Sequence, residues 1–140
     1  MRSIKEILQA SKTVAVVGMS NKPDRDSFIV AHYLQSQGYL VVPVNPNYAG
    51  TQILGEKVYA SLQEAAGALG ADGRPIDIVD CFRKSGDIPP VAREAVAIRA
   101  SVLWMQLGVE NQAAADMASA AGLDVVMNHC IKIEHARLQS

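Results

Sequence analysis

Apolar residues in this chain come in two rhythms. Thr13-Val14-Ala15-Val16-Val17 runs without a polar break and ends on Gly18. A β-branched run that does not alternate predicts a strand covered on both faces, as in the interior of a parallel sheet. Residues 39–44, 76–82, 102–107 and 123–127 repeat the pattern and predict four more strands. Between them the spacing turns helical. Residues 27–37 offer Phe28, Ala31, Tyr33 and Leu34 as a buried side, and Gly38 is placed to stop that helix in a left-handed conformation. Further helices are predicted over 61–69, from Asp87 with Pro89 and Pro90 near the first turn, and over 111–121 before Gly122. Ile4, Ile7 and Leu8 mark a short leading helix, while residues 50–59 read as a short edge strand or a loop. Strands alternating with helices of about 10 to 15 residues predict a doubly wound α/β sheet with helices on both faces and the first strand central.

Composition narrows the function without naming it. A chain of 140 residues that is 49% hydrophobic and 19% charged is packed and globular, and its length suits one domain spanning 1–140. Thirteen Lys and Arg against fourteen Asp and Glu leave a net charge of −1, so no broad field gathers a nucleic-acid backbone and any anion site must be local. The apolar runs are far shorter than the roughly 20 residues of a membrane span. Charges at Arg2, Lys5 and Glu6 break up any secretory signal, and two cysteines without a C-x-x-C spacing fit a reducing cytoplasm.

In an open parallel sheet ligands sit beyond the carboxyl ends of the strands, where strand order reverses. That directs attention to loops 18–27, 45–50 and 82–86. Lys22, Arg25, Arg83 and Lys84 lie on the first and third of them, a local cationic set that predicts an anionic ligand if the loops converge and solvated surface charges if they do not. Gly18 permits a tight turn, and Ser20, Asn21 and Ser27 add polar groups beside the N–H groups of the following helix, a natural place for phosphate. The loop reads Gly18-Met19-Ser20-Asn21-Lys22-Pro23, so the dinucleotide fingerprint G-x-G-x-x-G is missing. The second strand leads into Pro43-Val44-Asn45-Pro46-Asn47 without the carboxylate that an NAD site places on the adenosine ribose. Val44 and Pro46 could instead form an apolar shelf for adenine, with Asn45 or Asn47 donating to ribose or phosphate oxygens; the alternative for this stretch is a rigid turn.

Taken in order, Gly18-Met19-Ser20-Asn21, Pro43-Val44-Asn45-Pro46, Ile53-Leu54-Gly55, Asp77-Ile78-Val79-Asp80-Cys81-Phe82-Arg83, Leu103-Trp104-Met105-Gln106-Leu107-Gly108 and Cys130-Ile131-Lys132-Ile133-Glu134 resemble the small stand-alone CoA-binding domain proteins. These in turn are similar to the nucleotide-binding first domain of the succinyl-CoA synthetase α subunit. The resemblance implies a Rossmann-like fold and coenzyme A or acyl-CoA as ligand, phosphates at loop 18–27 and adenosine over residues 44–46. It does not carry over ligase activity, since the synthetase's further domains and phosphorylated histidine have no counterpart in this length. Within this picture Arg25 is the first candidate for a phosphate contact, with Ser20 and Ser27 beside it and Lys22 on the 3′-phosphate. Arg83, Lys84 and Phe82 enter from the neighbouring loop.

Other reactive groups point less clearly. His129, Cys130, Glu134 and His135 are zinc-type side chains in no recognised ligand spacing, so a structural tail packing Ile131, Ile133 and Leu138 is the expectation. Cys81 and Cys130 could exchange with a CoA thiol or be buried structural cysteines. Trp104, Met105 and Leu107 read as strand core, and Ser20 lacks the Gly-x-Ser-x-Gly elbow of a serine nucleophile. The sequence therefore predicts a binding protein for a small nucleotide ligand, with no catalytic constellation and no metal site. Two alternatives stand beside it. One is a small NADP-linked oxidoreductase or sugar-nucleotide enzyme in which Arg25 meets a 2′-phosphate. The other is a nucleotide-binding subunit that docks on a larger acyl-CoA enzyme.

Overall fold

The computed structural model describes residues 1–139. Its centre is a parallel sheet of β1 (Thr13–Val17), β2 (Leu40–Val44), β5 (Ile78–Cys81), β6 (Val102–Met105) and β7 (Asp124–Val126), in the order β2-β1-β5-β6-β7. The chain steps outward from β1 to β2, then crosses back to β5 on the other side of β1. Strand order reverses there, between β1 and β5. β1 is interior, as its composition predicts, but the middle strand is β5 rather than β1.

Period-two geometry explains why these strands are apolar throughout. Val14, Val16, Ile78, Val102 and Trp104 face one layer, packing against α1 (Ile4–Ala10), α2 (Asp26–Ser36) and α6 (Ile131–Leu138). Ala15, Val17, Val79, Cys81, Leu103 and Met105 face the other, against α3 (Leu62–Gly70), α4 (Ile88–Ala97) and α5 (Gln112–Ala120). The result is the doubly wound α/β, Rossmann-like arrangement read from the sequence. Helix starts follow local chemistry: the side chains of Ser3, Ser61 and Asn111 each accept a backbone N–H of their own first turn, and Pro89 and Pro90 lie in the first turn of α4, where the missing N–H costs nothing. Gly38 adopts φ +94°, ending α2.

Several expectations change. Residues 50–59 form a small antiparallel hairpin, β3 (Gln52–Ile53) and β4 (Glu56–Lys57), turned by Leu54 (φ 53°) and Gly55 (φ 77°). Two successive left-handed residues match the twist of a tight hairpin, but Leu in the first place hides the usual Asn-Gly signal. Leu107 lies past the end of β6 and is 65% exposed, and Ile133 is 45% exposed, so neither belongs to the core. That layer is filled instead by Val30 on α2 and by His135, which is buried between the rings of Tyr33 and Tyr39 with its Nδ1 2.8 Å from the Tyr33 hydroxyl.

Two features set the geometry at the carboxyl edge. Gly18 has φ +87°, and a Cβ there would stand 2.3 Å from the backbone carbonyl oxygen of Phe82, so it is this approach of the end of β5 that demands glycine. Asp80 on β5 is fully buried; Gln106 Nε2 donates to its Oδ1, and its Oδ2 has no partner among the described residues. Burial pushes this carboxyl up to about 8, with the Gln106 hydrogen bond pulling the other way.

Replacing Gly18 by Ala adds a left-handed strain of about 1–2 kcal/mol to an overlap that only backbone movement relieves. The urea midpoint is expected to fall by more than that strain alone explains, and an unchanged midpoint contradicts the packing account. For Asp80 the native state holds a proton that the unfolded chain releases above its ordinary value of 3.8. Stability linked to this group is therefore fully present below that value and is lost as pH rises toward about 8. Urea titrations across this window should show the wild type losing stability relative to Asp80→Asn by up to ~1.4 kcal/mol per pH unit; parallel pH profiles would refute the assignment.

Candidate functional site

Three loops meet over the carboxyl ends of β2, β1 and β5, and the β1–α2 loop forms the floor. Its shape is held by internal hydrogen bonds. The Ser20 N–H donates to Ser27 Oγ (2.9 Å), the Lys22 N–H to Ser20 Oγ (3.1 Å), and the Arg25 N–H to the Lys22 carbonyl (3.1 Å). Asn45, buried at the end of β2, braces the same loop from the side: its Nδ2 donates to the Met19 carbonyl (2.9 Å) while its Oδ1 accepts the Asn47 N–H (3.0 Å). Both ends of the Asn45 amide are thus engaged within the protein. The Asn47 side chain makes no such bond among the described residues.

The loop delivers the start of α2. Arg25 is the N-cap and provides no side-chain cap, and the N–H groups of Asp26, Ser27 and Phe28 find no acceptor among the described residues. These donors and the positive end of the helix dipole open onto a cavity of about 390 Å³ lined by Gly18, Ser20, Lys22, Arg25, Tyr48 and Phe82, together with Asp26 and Ser27. Lys22 and Arg25 are exposed and form no ion pair among the described residues. Asp26, in the first turn of the helix, offsets part of their field.

A second cavity of about 270 Å³ adjoins on the α3–α4 side, where Val17, Val44, Pro46 and Pro90 meet Arg83 and the acidic side chains of Asp87 and Glu94. The third loop therefore divides: Phe82 lines the first cavity and Arg83 the second. Lys84, exposed at the N-cap of the turn Ser85–Asp87, lines neither, and nor does the exposed Asn21. Sequence reasoning missed Tyr48. Tyr48 arrives because Asn45 caps a single 3-10 turn, Pro46–Tyr48, that folds it back toward β1. The spacing Asn-Pro-x-Tyr was the available signal.

A wider and more open depression, about 660 Å³, lies at the opposite edge of the sheet. Its Arg2 and Asp124 already pair at 2.7 Å, and Glu6 is taken up by the Ser3 cap, so its charge is spent on itself. The zinc-type residues separate: His129 Nδ1 contacts the Met127 carbonyl, Glu134 pairs with Arg137, and His135 meets Tyr33, while Cys130 is half-buried at the start of α6. Among the described residues no three His, Cys, Asp or Glu groups come together as a metal site. Cys81 is fully buried, and burial first, then Asp80, holds its thiol well above the ordinary range despite the opposing pull of Arg83, which leaves it without thiolate character. No helix is long and apolar enough to cross a membrane among the described residues.

The chain is similar in sequence and fold to known proteins. A family model described as "CoA binding domain" matches residues 12–136. Uncharacterized protein YneT of Bacillus subtilis (strain 168) is 45% identical over 133 residues, covering 95% of this chain and 92% of its own. Among solved structures, cell-free ID.343 from Thermus thermophilus superposes with a TM-score of 0.88 at 34% identity, covering 98% of this chain and 99% of that one. A hypothetical protein from Pyrococcus horikoshii OT3 does so with a TM-score of 0.88 at 39% identity, covering 98% and 90%. With nearly the whole length matched, the chain belongs to the CoA-binding domain family.

Proposed function

We propose that the protein is a non-catalytic binder of coenzyme A or its thioesters, with the phosphates at the start of α2 and the adenosine over Val44 and Pro46. The observation that carries this reading is the set of unpartnered N–H groups at Asp26, Ser27 and Phe28 beside the unpaired side chains of Arg25 and Lys22. The donor set suits the ligand. The adenosine end of CoA carries a pyrophosphate and a 3′-phosphate, and helix N–H groups with a fork-shaped guanidinium are the protein groups best matched to phosphate oxygens. In the cavity beside Arg83, which Asp87 and Glu94 also line, Val44, Pro46 and Pro90 offer an adenine ring a shelf while leaving a cation within reach.

Each residue then has its task. Arg25 makes the charge-assisted phosphate contact, Lys22 neutralises the 3′-phosphate, and Gly18 and Ser20 border the phosphates, while Ser27 and Asn45 hold the loop in register rather than reaching outward. Asn47, with its side chain free, is the better placed of the two asparagines to meet the ligand. Ser20 Oγ accepts a backbone N–H, and the Nδ1 atoms of His129 and His135 contact the Met127 carbonyl and the Tyr33 hydroxyl.

Arg25→Ala is expected to weaken CoA binding by about 1.5–3 kcal/mol, the scale of a hydrogen bond to a charged partner, with no change in urea midpoint because the side chain is exposed. Calorimetry returning wild-type affinity for this variant removes Arg25 from the site. In a thermal-shift panel CoA should raise Tm, since a ligand confined to the native state stabilises it by mass action, whereas NAD and NADP should not. A rise with NADP and none with CoA would favour the oxidoreductase alternative.

A further inference from the structure

Surface apolar side chains are few on this molecule, and they are not scattered. Of the exposed large hydrophobics Met1, Ile29, Leu107 and Ile133, all but Met1 line one groove of about 340 Å³ between the first turns of α2, the end of β6 and the start of α6. Its walls also include Val30 and Cys130. A contiguous exposed apolar patch marks a binding surface, because leaving it in water costs free energy that a ligand can recover. The groove is set next to the phosphate cavity, with Asp26 lining both. A buried polar group lies at its floor. Gln106, 4% exposed, lines the groove with its amino group committed to the fully buried Asp80, and its amide carbonyl is without partner among the described residues.

We propose that this groove takes the acyl-bearing arm of the ligand, which makes the protein a receptor for CoA thioesters with an apolar acyl chain rather than for free CoA. The inference rests on the preceding reading of the phosphate site. The phosphate cavity lies over the ends of β1 and β5 and the groove reaches that of β6, no more than two strand spacings or about 10 Å away, while the adenosine shelf opens on the α3–α4 side of the same strand ends, all within the span of an extended CoA. Leu107, Ile29 and Ile133 supply the contact for the chain, and the Gln106 carbonyl is an acceptor for an amide N–H of the arm. Lys132 also borders the groove, but its ammonium lies over the Tyr33 ring at 5.7 Å, and Asp26 opposes it, so the site is not built for an acyl group ending in a carboxylate.

Calorimetry with the full chain separates the possibilities, using adenosine 3′,5′-bisphosphate, CoA, acetyl-CoA, hexanoyl-CoA and a thioester of similar length ending in a carboxylate. Burying a methylene is worth about fourfold in affinity at full coverage. Hexanoyl-CoA is therefore expected to bind at least about tenfold more tightly than CoA in a half-open groove, and the carboxylated thioester no better than CoA. In the double variant Leu107→Glu, Ile133→Glu, whose sites are exposed, that gain should vanish while the bisphosphate binds as in wild type. Equal affinity of the wild type for CoA and hexanoyl-CoA, or a double variant that keeps the gain, overturns the proposal. Failure of the bisphosphate and of CoA to bind the wild type overturns the phosphate-site reading itself, and this inference falls with it.

Discussion

The contact between Gly18 and the carbonyl of Phe82 decides where everything at the carboxyl edge can be. A parallel sheet leaves its strand ends side by side, and the backbone leaving β1 must pass within van der Waals reach of the backbone leaving β5 before turning into α2. Only a residue without Cβ, in a left-handed conformation, makes that turn. Once it is made, Ser27 captures the Ser20 N–H, Asn45 captures the Met19 carbonyl, and the first turn of α2 is aimed outward over the switch point with its N–H groups unspent. The side chains that brace the loop are buried, and the side chains that carry charge are exposed. Support and recognition are thus divided between neighbouring residues of one short segment.

This division explains how much could be read in advance. The strands were legible because burial on both faces leaves a continuous apolar signature, and the helices because caps, prolines and glycines stand where termini need them. The loops after β1, β2 and β5 were legible as a site because topology alone places them together. What composition could not show is which polar side chain faces inward. Asn45 reads as a donor to a ligand but closes its own network, and Ser27 reads as a phosphate contact but holds a backbone N–H. Tyr48 was missed because its position depends on a single 3-10 turn that only the Asn-Pro-x-Tyr spacing signals, and the hairpin at residues 52–57 because a leucine takes the left-handed place that asparagine usually advertises. Leu107 failed for a related reason. Its apolar character continues that of β6, but the strand ends two residues earlier and the side chain emerges at the surface.

The chemistry at the edge changes from one loop to the next. On the α3–α4 side Val44, Pro46 and Pro90 face Arg83, with Asp87 and Glu94 beside them; over β1 stands a helix terminus with two exposed cations; toward β6 lies a hydrophobic groove whose lining includes Gln106, the partner of the buried Asp80. A ligand with a flat ring, several phosphate charges and a long arm suits these three surfaces. The protein tolerates the buried Asp80 because keeping its proton costs less than burying an unpaired carboxylate. That choice leaves the Gln106 amide oriented from beneath.

Anion binding at the start of α2 is tested most directly by an NMR titration of the isotope-labelled protein with CoA. The backbone amide signals of Asp26, Ser27 and Phe28 should move strongly downfield as phosphate oxygens accept from the helix terminus, with smaller shifts at Ser20, Val44 and Arg83. Saturating CoA that leaves those amides in place, or that moves only signals from the opposite edge around Arg2 and Asp124, would contradict it.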